Sequence, residues 1–403
     1  MSHLRIAMIA PPWLKVPPTG YGGIEAVLDG LITGLKRQDV TVELFSIGPT
    51  RISGVTVHSL YKAEQYQHIY KPMYEAMPIA AAHLQYALNA IKKDGHFDII
   101  HDHNGFMGPQ VLAWATSDPV MPPVIHTLHG PPFTNRDMLK GGLPDNGPFW
   151  QQFAAMDSRV YLVGISNALM RPALPALRRR ILPTVYNAVD VCNFQFLDKK
   201  KGYFFTLARF SRDKGQHIAA KLCVKLGYEL QMAGSVADIT SPKQLSLELA
   251  NPLSPYRQVP DFRYYSDEIL PYTIKSKRIK HLGDISGARK QRLMSNAKAL
   301  LFPIAWDEPF GMAVIEAMAC GTPVVAMNRG AMPEIIQHGV NGFLANSEQE
   351  FAEYMQRVDE IDPYECRRSV ETHFSADVMA KQYVERYHEA IRRSATHKVT
   401  NLT

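Results

Sequence analysis

Residues 303–326, PIAWDEPFGMAVIEAMACGTPVVA, decide the fold of this chain. A proline and a glycine at 309–311 interrupt regular structure near the start of the stretch. From Met312 onward, apolar residues recur at the spacing of one helix face, so a helix is predicted there. The breakers at 321–323 end that helix, and the apolar run that follows predicts a buried strand. A helix and a strand in this order are typical of an α/β domain.

Two glutamates bracket the junction between the loop and the predicted helix. Glu308 lies just before the helix, and Glu316 lies about one turn inside it. A helix start offers unpaired backbone N–H groups and the positive end of the helix dipole, which favour an anion. Two acids that flank an anion site suit a ligand with a phosphate in its middle and hydroxyls at both ends, such as a nucleotide sugar. If only the two glutamates are considered, the alternative to a ligand site is a capped helix whose glutamate side chains are exposed to solvent.

The whole block resembles the signature of the retaining glycosyltransferases of family 4. The resemblance rests on Glu308, seven intervening residues and Glu316, with PFG after the first glutamate and EAMACGTPVVA at the second. It implies that Glu308 contacts the hydroxyls of the donor sugar and that Glu316 contacts the ribose. It also implies that a run of backbone N–H groups binds near the diphosphate, namely those of Phe310, Gly311, Met312 and Ala313.

Two further loops resemble the same family. The pattern TGYGGIE at 19–25 lies between a predicted strand and a predicted helix, and the resemblance places Gly22 and Gly23 against the donor diphosphate. Taken alone, this pattern is neither GxGxxG nor a Walker A sequence, and a structural turn is the simpler interpretation. In the second loop, RFSRDKG, the resemblance implies that Arg209 and Lys214 neutralise the departing diphosphate.

Histidines follow two of the predicted strands, as HDHN at 101–104 and HTLHG at 126–130. Ligands in open α/β sheets bind beyond the carboxyl ends of strands, and the resemblance assigns His129 to the donor-sugar pocket. A histidine that is hydrogen-bonded to a neighbouring loop is the alternative. These patterns lack the helical HExxH arrangement and a cysteine partner, so no metal site is predicted. In IKHLGDI, we expect the backbone of Gly283 to lie beside the base of the nucleotide.

The length of 403 residues favours two domains, each large enough for its own core. The expected fold class is α/β of the GT-B type, with two Rossmann-like doubly wound domains that face a central cleft. We place an N-terminal, acceptor-side domain at 1–195 and a C-terminal nucleotide-sugar-binding domain at 196–375. A helix within 376–403 is expected to cross back onto the first domain. In the first domain, a strand is expected at 181–186 and a long helix at 65–93, with a break near Pro72 and Pro78.

The net charge of +6 suits an anionic substrate or an anionic membrane surface. The four cysteines form no CxxC pair, so neither a zinc site nor a disulfide framework is predicted, and a cytoplasmic location is expected. The apolar run at 6–13 is expected to be a first strand rather than a signal peptide. No stretch reaches the roughly 18 to 20 continuous apolar residues of a membrane helix, so any contact with the inner membrane face would be peripheral.

The resemblance implies a retaining glycosyltransferase, which we expect to be metal-independent and to need no cofactor. A UDP-sugar is the favoured donor and GDP-mannose the second choice. The acceptor is expected to be a hydroxyl-bearing small molecule, glycan or lipid-linked molecule, and no nucleic acid partner is expected. A sugar-nucleotide epimerase of the same fold, a glycogen phosphorylase relative and a non-catalytic nucleotide-sugar binder are the alternatives. No lysine lies in a recognisable setting for pyridoxal phosphate, which argues against the phosphorylase.

Overall fold

The computed structural model describes residues 3–20, 22–105, 107–134, 136–140 and 142–400. These residues fall into two compact units. Unit 1 contains the chain up to Asp190 and again from Ala376 onward, and unit 2 is Val191–Ser375.

Unit 1 alternates strands and helices along the chain. Its described strands are β1 (Leu4–Ile9), β2 (Val40–Ser46), β3 (Thr56–Ser59), β4 (Ile99–Asp102), β5 (Val124–Leu128) and β6 (Val160–Gly164). Its helices up to residue 190 are α1 (Gly23–Leu35), α2 (Met73–Asp94), α3 (Gly108–Ala115), α4 (Arg136–Lys140), α5 (Gly147–Ala155) and α6 (Asn167–Met170). The described strands pair in parallel, in the order β3-β2-β1-β4-β5-β6.

Unit 2 repeats this alternation. Its described strands are β7 (Tyr203–Leu207), β8 (Glu229–Ala233), β9 (Ile279–His281), β10 (Ala299–Phe302), β11 (Val324–Met327) and β12 (Gly342–Ala345). Its helices are α7 (Gln216–Leu226), α8 (Pro242–Ala250), α9 (Pro260–Tyr264), α10 (Leu270–Lys275), α11 (Gly287–Asn296), α12 (Met312–Ala319), α13 (Met332–Ile335), α14 (Glu348–Arg357) and α15 (Pro363–His373). These strands are also parallel, in the order β12-β11-β10-β7-β8-β9.

Both sheets have the same topology. If the strands of each unit are numbered from its own first strand, both orders read 3-2-1-4-5-6, which is the order of doubly wound dinucleotide-binding domains. The predicted α/β class with two Rossmann-like domains is therefore confirmed. In each unit the strand order reverses between the first and fourth strands, which are β1 and β4 in unit 1 and β7 and β10 in unit 2. Ligands of such sheets bind outside the carboxyl ends of the strands at this switch point.

The stretch at 303–326 forms the elements that its pattern predicts. It enters from β10, forms α12 at Met312–Ala319 and ends in β11. The inward face of α12 is fully buried, because the apolar side chains from Val314 to Ala319 pack under the sheet.

Two predictions for unit 1 differ from the structure. The break expected near Pro72 is present, since a 3-10 turn at Tyr66–Tyr70 ends before it and α2 begins at Met73, but the break expected near Pro78 is not. Helix α2 runs from Met73 to Asp94 without a break at Pro78, because its buried apolar face continues past the proline and holds the helix together.

No regular strand forms at 181–186, although the segment runs beside β6. Ile181 forms an isolated parallel bridge with Leu162, and the N–H groups of Leu182 and Val185 donate to carbonyls of β6 at 2.9 and 3.1 Å. A regular parallel ladder would use the N–H groups of Leu182 and Thr184, so the bond from Val185 marks a shift of register by one residue, which ends the ladder.

The last helix, α16 (Ala376–Thr400), belongs to unit 1, where it packs against α1. Its start is tied to the same unit, since the Ala376 N–H donates to the Val189 carbonyl at 3.0 Å. Arg37 after α1 donates to Asp377 at 2.9 Å. Over the described residues, no helix has both the length and the apolar character needed to cross a membrane.

Replacement of Gly34 by alanine is expected to destabilise unit 1. A Cβ on Gly34 of α1 would overlap the carbonyl oxygen of Ala376 and would lie 2.7 Å from the carbonyl carbon. Overpacking of this kind costs about 1 to 3 kcal/mol, although alanine is otherwise the better helix former. Urea unfolding of Gly34→Ala is the measurement. Gly202→Ala is the control, since a Cβ there meets nothing within 4 Å; equal stability of the two variants would contradict the close packing.

Candidate functional site

The loops that follow β7 and β10 meet at the switch point of unit 2. The first loop carries Arg209 and Lys214, and the second carries Glu308. A backbone hydrogen bond joins the loops, because the Ala305 N–H donates to the Asp213 carbonyl at 2.8 Å. Residues that are far apart in the sequence are therefore held at one edge of the sheet.

Lys214 and Glu308 form an ion pair at this edge. Lys214 Nζ lies 2.6 Å from Glu308 Oε2, and the two side chains are 18% and 13% exposed. The indole N–H of Trp306 donates to the same oxygen at 2.8 Å, and Lys214 Nζ lies 4.8 Å from the centre of the indole ring. Both of these hydrogen bonds fall on Oε2. The other carboxylate oxygen, Oε1, makes no hydrogen bond with any described residue. Lys214 and Glu308 were predicted from the sequence as site residues, whereas Trp306 was not.

The backbone around Glu308 is held by the segment after β11. The Ala331 N–H donates to the Glu308 carbonyl at 2.9 Å. Gly330 packs so closely that a Cβ there would overlap both the N and the O of Glu308. Only glycine fits at this position, and the Glu308 backbone is thereby fixed.

Helix α12 begins directly after this loop. Its N-cap, Gly311, has a φ of 100° and offers no side-chain cap. The Val314 N–H donates to the Gly311 carbonyl at 3.0 Å, so among the described residues the N–H groups of Met312 and Ala313 are left for another partner. Met312 and Ala313 are half-buried at this end. Phe310 is 2% exposed and its ring packs in the core of unit 2, so its backbone is the part that can face a ligand.

Glu316 lies one turn further along α12. Its Oε1 is 2.8 Å from Nζ of Lys290, which belongs to α11. Neither side chain is more than 25% exposed. Lys290 was not predicted as a partner, since nothing in the local sequence pattern links α11 to Glu316.

Arg209 and Lys214 do not share a partner in this structure. Arg209 is 48% exposed, and its guanidinium lies 3.5 Å from Asp261 Oδ2 of α9. Burial raises the pKa of Asp261, and the positive charge of Arg209 opposes that rise. The backbone carbonyl of Arg209 accepts from the Gln216 side chain at 2.9 Å. Arg209 thus lies in the predicted loop, with an acidic partner that the sequence did not reveal.

Gly283 lies directly after β9, where the backbone turns sharply. Its φ is 75°, and a Cβ would lie 2.6 Å from both Pro242 Cδ and the Thr240 carbonyl oxygen. Its own carbonyl accepts from the Gly234 N–H at 2.9 Å. This bond holds the Gly283 backbone, which we expect beside the base of the nucleotide, against the turn after β8.

In unit 1, the loop after β1 leads to Gly22 and Gly23 at the start of α1; Tyr21 is outside the described residues. A Cβ on Gly22 would lie 2.7 Å from Pro18 Cβ and 3.1 Å from Glu25 Oε2, whereas a Cβ on Gly23 would meet nothing within 4 Å. Packing thus explains the glycine at 22 but not the exposed one at 23. Glu25 is buried, and burial raises its pKa to about 7.

His129 lies after β5, where it is half-buried beside the buried rings of His101 and His103. Its Nε2 is 2.8 Å from Nδ1 of His103, which follows β4. Burial lowers the pKa of His129 to about 3, and it holds the pKa values of His101 and His103 well below 6.5. On the other face of the sheet, His126 Nδ1 lies 2.6 Å from Asp102 Oδ2. Among the described residues, no group of three or more His, Cys, Asp or Glu side chains could hold a metal ion.

Comparisons with known proteins agree with this architecture. The family model for "Glycosyl transferases group 1" matches residues 193–371, and that for "Glycosyltransferase Family 4" matches residues 21–192. Spore coat protein SA of Bacillus subtilis is 22% identical over 384 residues, which are 89% of this chain and 90% of that protein. D-inositol 3-phosphate glycosyltransferase of Mycobacterium bovis is 24% identical over 386 residues, 89% of this chain and 75% of the relative.

A solved structure, Anabaena HepE in complex with UDP and glucose, has a TM-score of 0.63 to this chain at 18% identity. The match covers 96% of this chain and 100% of the HepE chain. At this level of identity the likeness shows the fold alone, and it confirms the expected GT-B class.

The raised pKa of Glu25 makes the stability of unit 1 depend on pH. A carboxyl whose pKa rises from 4.5 to about 7 on folding contributes stability that is present below pH 4.5 and is lost as the pH rises through 7. Glu25→Gln mimics the protonated form at every pH. We therefore expect it to unfold with the same free energy as the wild type at pH 4.5 but to be more stable at pH 8, by up to about 3 kcal/mol.

Denaturant titrations at both pH values measure this difference. Glu348→Gln is the control, because Glu348 is an exposed partner of Lys221. A pH dependence that is the same in Glu25→Gln and the wild type would contradict the assignment.

Proposed function

The chain belongs to the family 4 glycosyltransferases, since its two halves match the family 4 and group 1 models, and on that premise we propose a specific reaction for it. It is an enzyme that uses a nucleotide-sugar donor. In our proposal it transfers a hexose from a UDP-sugar to a hydroxyl of its acceptor, with retention of the anomeric configuration and without a divalent metal. GDP-mannose is the second candidate donor, and the acceptor is a small molecule, a glycan or a lipid-linked molecule.

The observation that carries this proposal is the arrangement of Lys214, Trp306 and Glu308 at the switch point of unit 2. Lys214 and Trp306 together hold one carboxylate oxygen of Glu308. The other oxygen is left to accept hydrogen bonds from the hydroxyls of a donor sugar. Held from two directions, the carboxylate does not need to reorganise when the sugar binds.

The departing nucleoside diphosphate meets positive charge on the same unit. Lys214 supplies a positive point charge, and Arg209 supplies a planar guanidinium that can donate two hydrogen bonds. The first turn of α12 supplies backbone N–H groups. Charge that is fixed where charge develops often contributes more to catalysis than any other effect, and loss of one such donor costs about 3 kcal/mol, roughly a hundredfold in rate. Arg209 must turn from Asp261 toward the phosphate, which its exposed position allows.

Retention follows in this proposal from substitution on the same face of the sugar. Glu308 is a weak candidate for a nucleophile, because its Oε2 is neutralised by Lys214 and bonded by Trp306. We propose that the departing phosphate oxygen accepts the proton of the incoming hydroxyl, as that hydroxyl attacks the anomeric carbon. His129 contacts the donor sugar as a neutral ring, which the lowered pKa of about 3 supports.

Replacement of either partner of the ion pair should abolish most turnover. We expect Glu308→Gln and Lys214→Met to lower kcat for hydrolysis of UDP-glucose by about a hundredfold, since each loses a charge that faces the reacting group. In Glu308→Gln, the glutamine has the same size as the glutamate, and its amide oxygen can still accept the hydrogen bond from the Trp306 indole. Because both side chains are mostly buried, the unpaired partner is also expected to lower the Tm, so rates are compared well below it.

Lys221→Met is the matched control, because Lys221 forms an exposed ion pair of the same length, 2.6 Å, with Glu348. Its kcat should be unchanged. If Glu308→Gln folds normally and keeps near-native turnover, the donor assignment is wrong.

UDP should stabilise the protein more than GDP or ADP. HepE was solved with UDP and glucose, which supports this choice of base for a protein of the same fold. A ligand at 100 times its Kd stabilises the folded state by about 2.7 kcal/mol, so a thermal-shift panel of the three nucleotides and their sugars resolves the donor. A larger shift with GDP-mannose would move the assignment to the second candidate. A shift without hydrolysis or transfer would indicate a binding protein rather than an enzyme.

The anomeric configuration of the product tests whether the reaction proceeds with retention. With a UDP-α-sugar and an accepted hydroxyl, proton NMR of the product should show an α linkage. A β linkage would refute same-face substitution.

A further inference from the structure

We propose that His103 is a positioning residue, which fixes the tautomer of His129 so that His129 presents its Nδ1–H to the donor sugar. This proposal rests on the proposed function, in which His129 contacts that sugar. His103 follows β4 and His129 follows β5, so the two lie side by side beyond neighbouring strands of unit 1.

The two rings are joined by one hydrogen bond. His103 Nδ1 lies 2.8 Å from His129 Nε2, and the ring centres are 5.1 Å apart at an interplanar angle of 30°. His103 is 1% exposed. Both rings are neutral at physiological pH, because burial lowers their pKa values. In a pair of neutral imidazoles, one nitrogen donates and the other accepts.

The other ring nitrogen of His103 shows which of the two histidines donates this hydrogen bond. Its Nε2 is buried and has no hydrogen-bond partner among the described residues. If His103 accepted at Nδ1, its proton would sit on Nε2 as a buried, unpaired N–H. Orphaned donors are rarer than under-satisfied acceptors, and each lost pairing costs about 1 to 3 kcal/mol. The proton therefore lies on Nδ1, and His103 donates to His129.

This direction determines the protonation of His129. Its Nε2 accepts from His103 and carries no proton, so the single proton of the neutral ring is on Nδ1. The sugar is thus offered a hydrogen-bond donor rather than an acceptor. An oxygen of the donor sugar is the partner that this chemistry selects.

His103 is itself held by a chain of buried polar groups. Its ring centre lies 4.1 Å from that of His101. His101 is bonded at both nitrogens, to Tyr387 OH and to Thr127 Oγ1, each at 2.8 Å. Thr127 Oγ1 also lies 2.8 Å from the Tyr383 hydroxyl. Two tyrosines of α16 therefore fix the ring that packs behind His103.

The tautomer can be read directly by NMR on the full-length protein labelled with ¹⁵N-histidine. His129 is identified by the signals that disappear in His129→Gln. In the wild type, we expect the His129 ring to show a protonated Nδ1 and an unprotonated Nε2. The opposite pattern would overturn the proposal, and this measurement needs no variant of His103.

Variants of His103 then test its role. His103→Phe keeps a ring in place but removes the donor, so the His129 tautomer should change or become mixed. His103→Asn places an amide N–H near the position of Nδ1 and should restore the wild-type pattern. For hydrolysis of UDP-glucose, we expect kcat to fall about tenfold in the first variant and to recover in the second, as for the loss of one hydrogen bond.

His83→Phe is the matched control, because His83 is also fully buried in unit 1 and makes one hydrogen bond, to the Ala10 carbonyl at 2.9 Å. It should leave the His129 tautomer unchanged. An unchanged tautomer in His103→Phe would overturn the proposal. A changed tautomer with unchanged kcat would support the role of His103 in setting the tautomer and would overturn the contact of His129 with the sugar.

Discussion

The ion pair between Lys214 and Glu308 is the interaction on which the described site of unit 2 depends. At a switch point the loops of two neighbouring strands diverge, so side chains on them meet only if something joins the loops. Here the ion pair, the Trp306 indole and the backbone bond between Ala305 and Asp213 do so together. The pair is mostly shielded from water, where the attraction between its charges is stronger than at an open surface. Both charges are therefore held in place before any ligand arrives.

The two units handle charge in different ways. Unit 2 concentrates full charges at its switch point, as Lys214 with Glu308, Lys290 with Glu316 and Arg209 with Asp261. Unit 1 instead holds a cluster of three uncharged histidines, because burial lowers the pKa values of His101, His103 and His129. Full charges suit a diphosphate, whereas neutral rings suit hydroxyl groups. The same fold, used twice, thus supplies two different kinds of chemistry.

The features that could be predicted from the sequence are those that depend on residues close together in the chain. The pattern at 303–326 has the breakers and the helical spacing that produce α12, and it carries both glutamates of the site. The partners Lys290 and Asp261 were not predicted, because they come from helices whose approach depends on the whole sheet. His103 was considered only as a metal ligand, since a sequence shows that histidines follow two strands but not which nitrogens meet. The segment at 181–186 runs beside β6 without forming a strand, because its backbone hydrogen bonds shift register by one residue between Leu182 and Val185, which an apolar pattern does not show.

The placement of α16 has a consequence for synthesis of the protein. Unit 1 is interrupted in the sequence by all of Val191–Ser375, and its last helix is translated only afterwards. Until Tyr387 leaves the ribosome, His101 lacks the hydroxyl bonded to its Nδ1 in the finished fold. Unit 2, by contrast, is continuous and is complete before α16 emerges. The histidines of unit 1 therefore acquire their final environment last, although they are encoded in the first third of the chain.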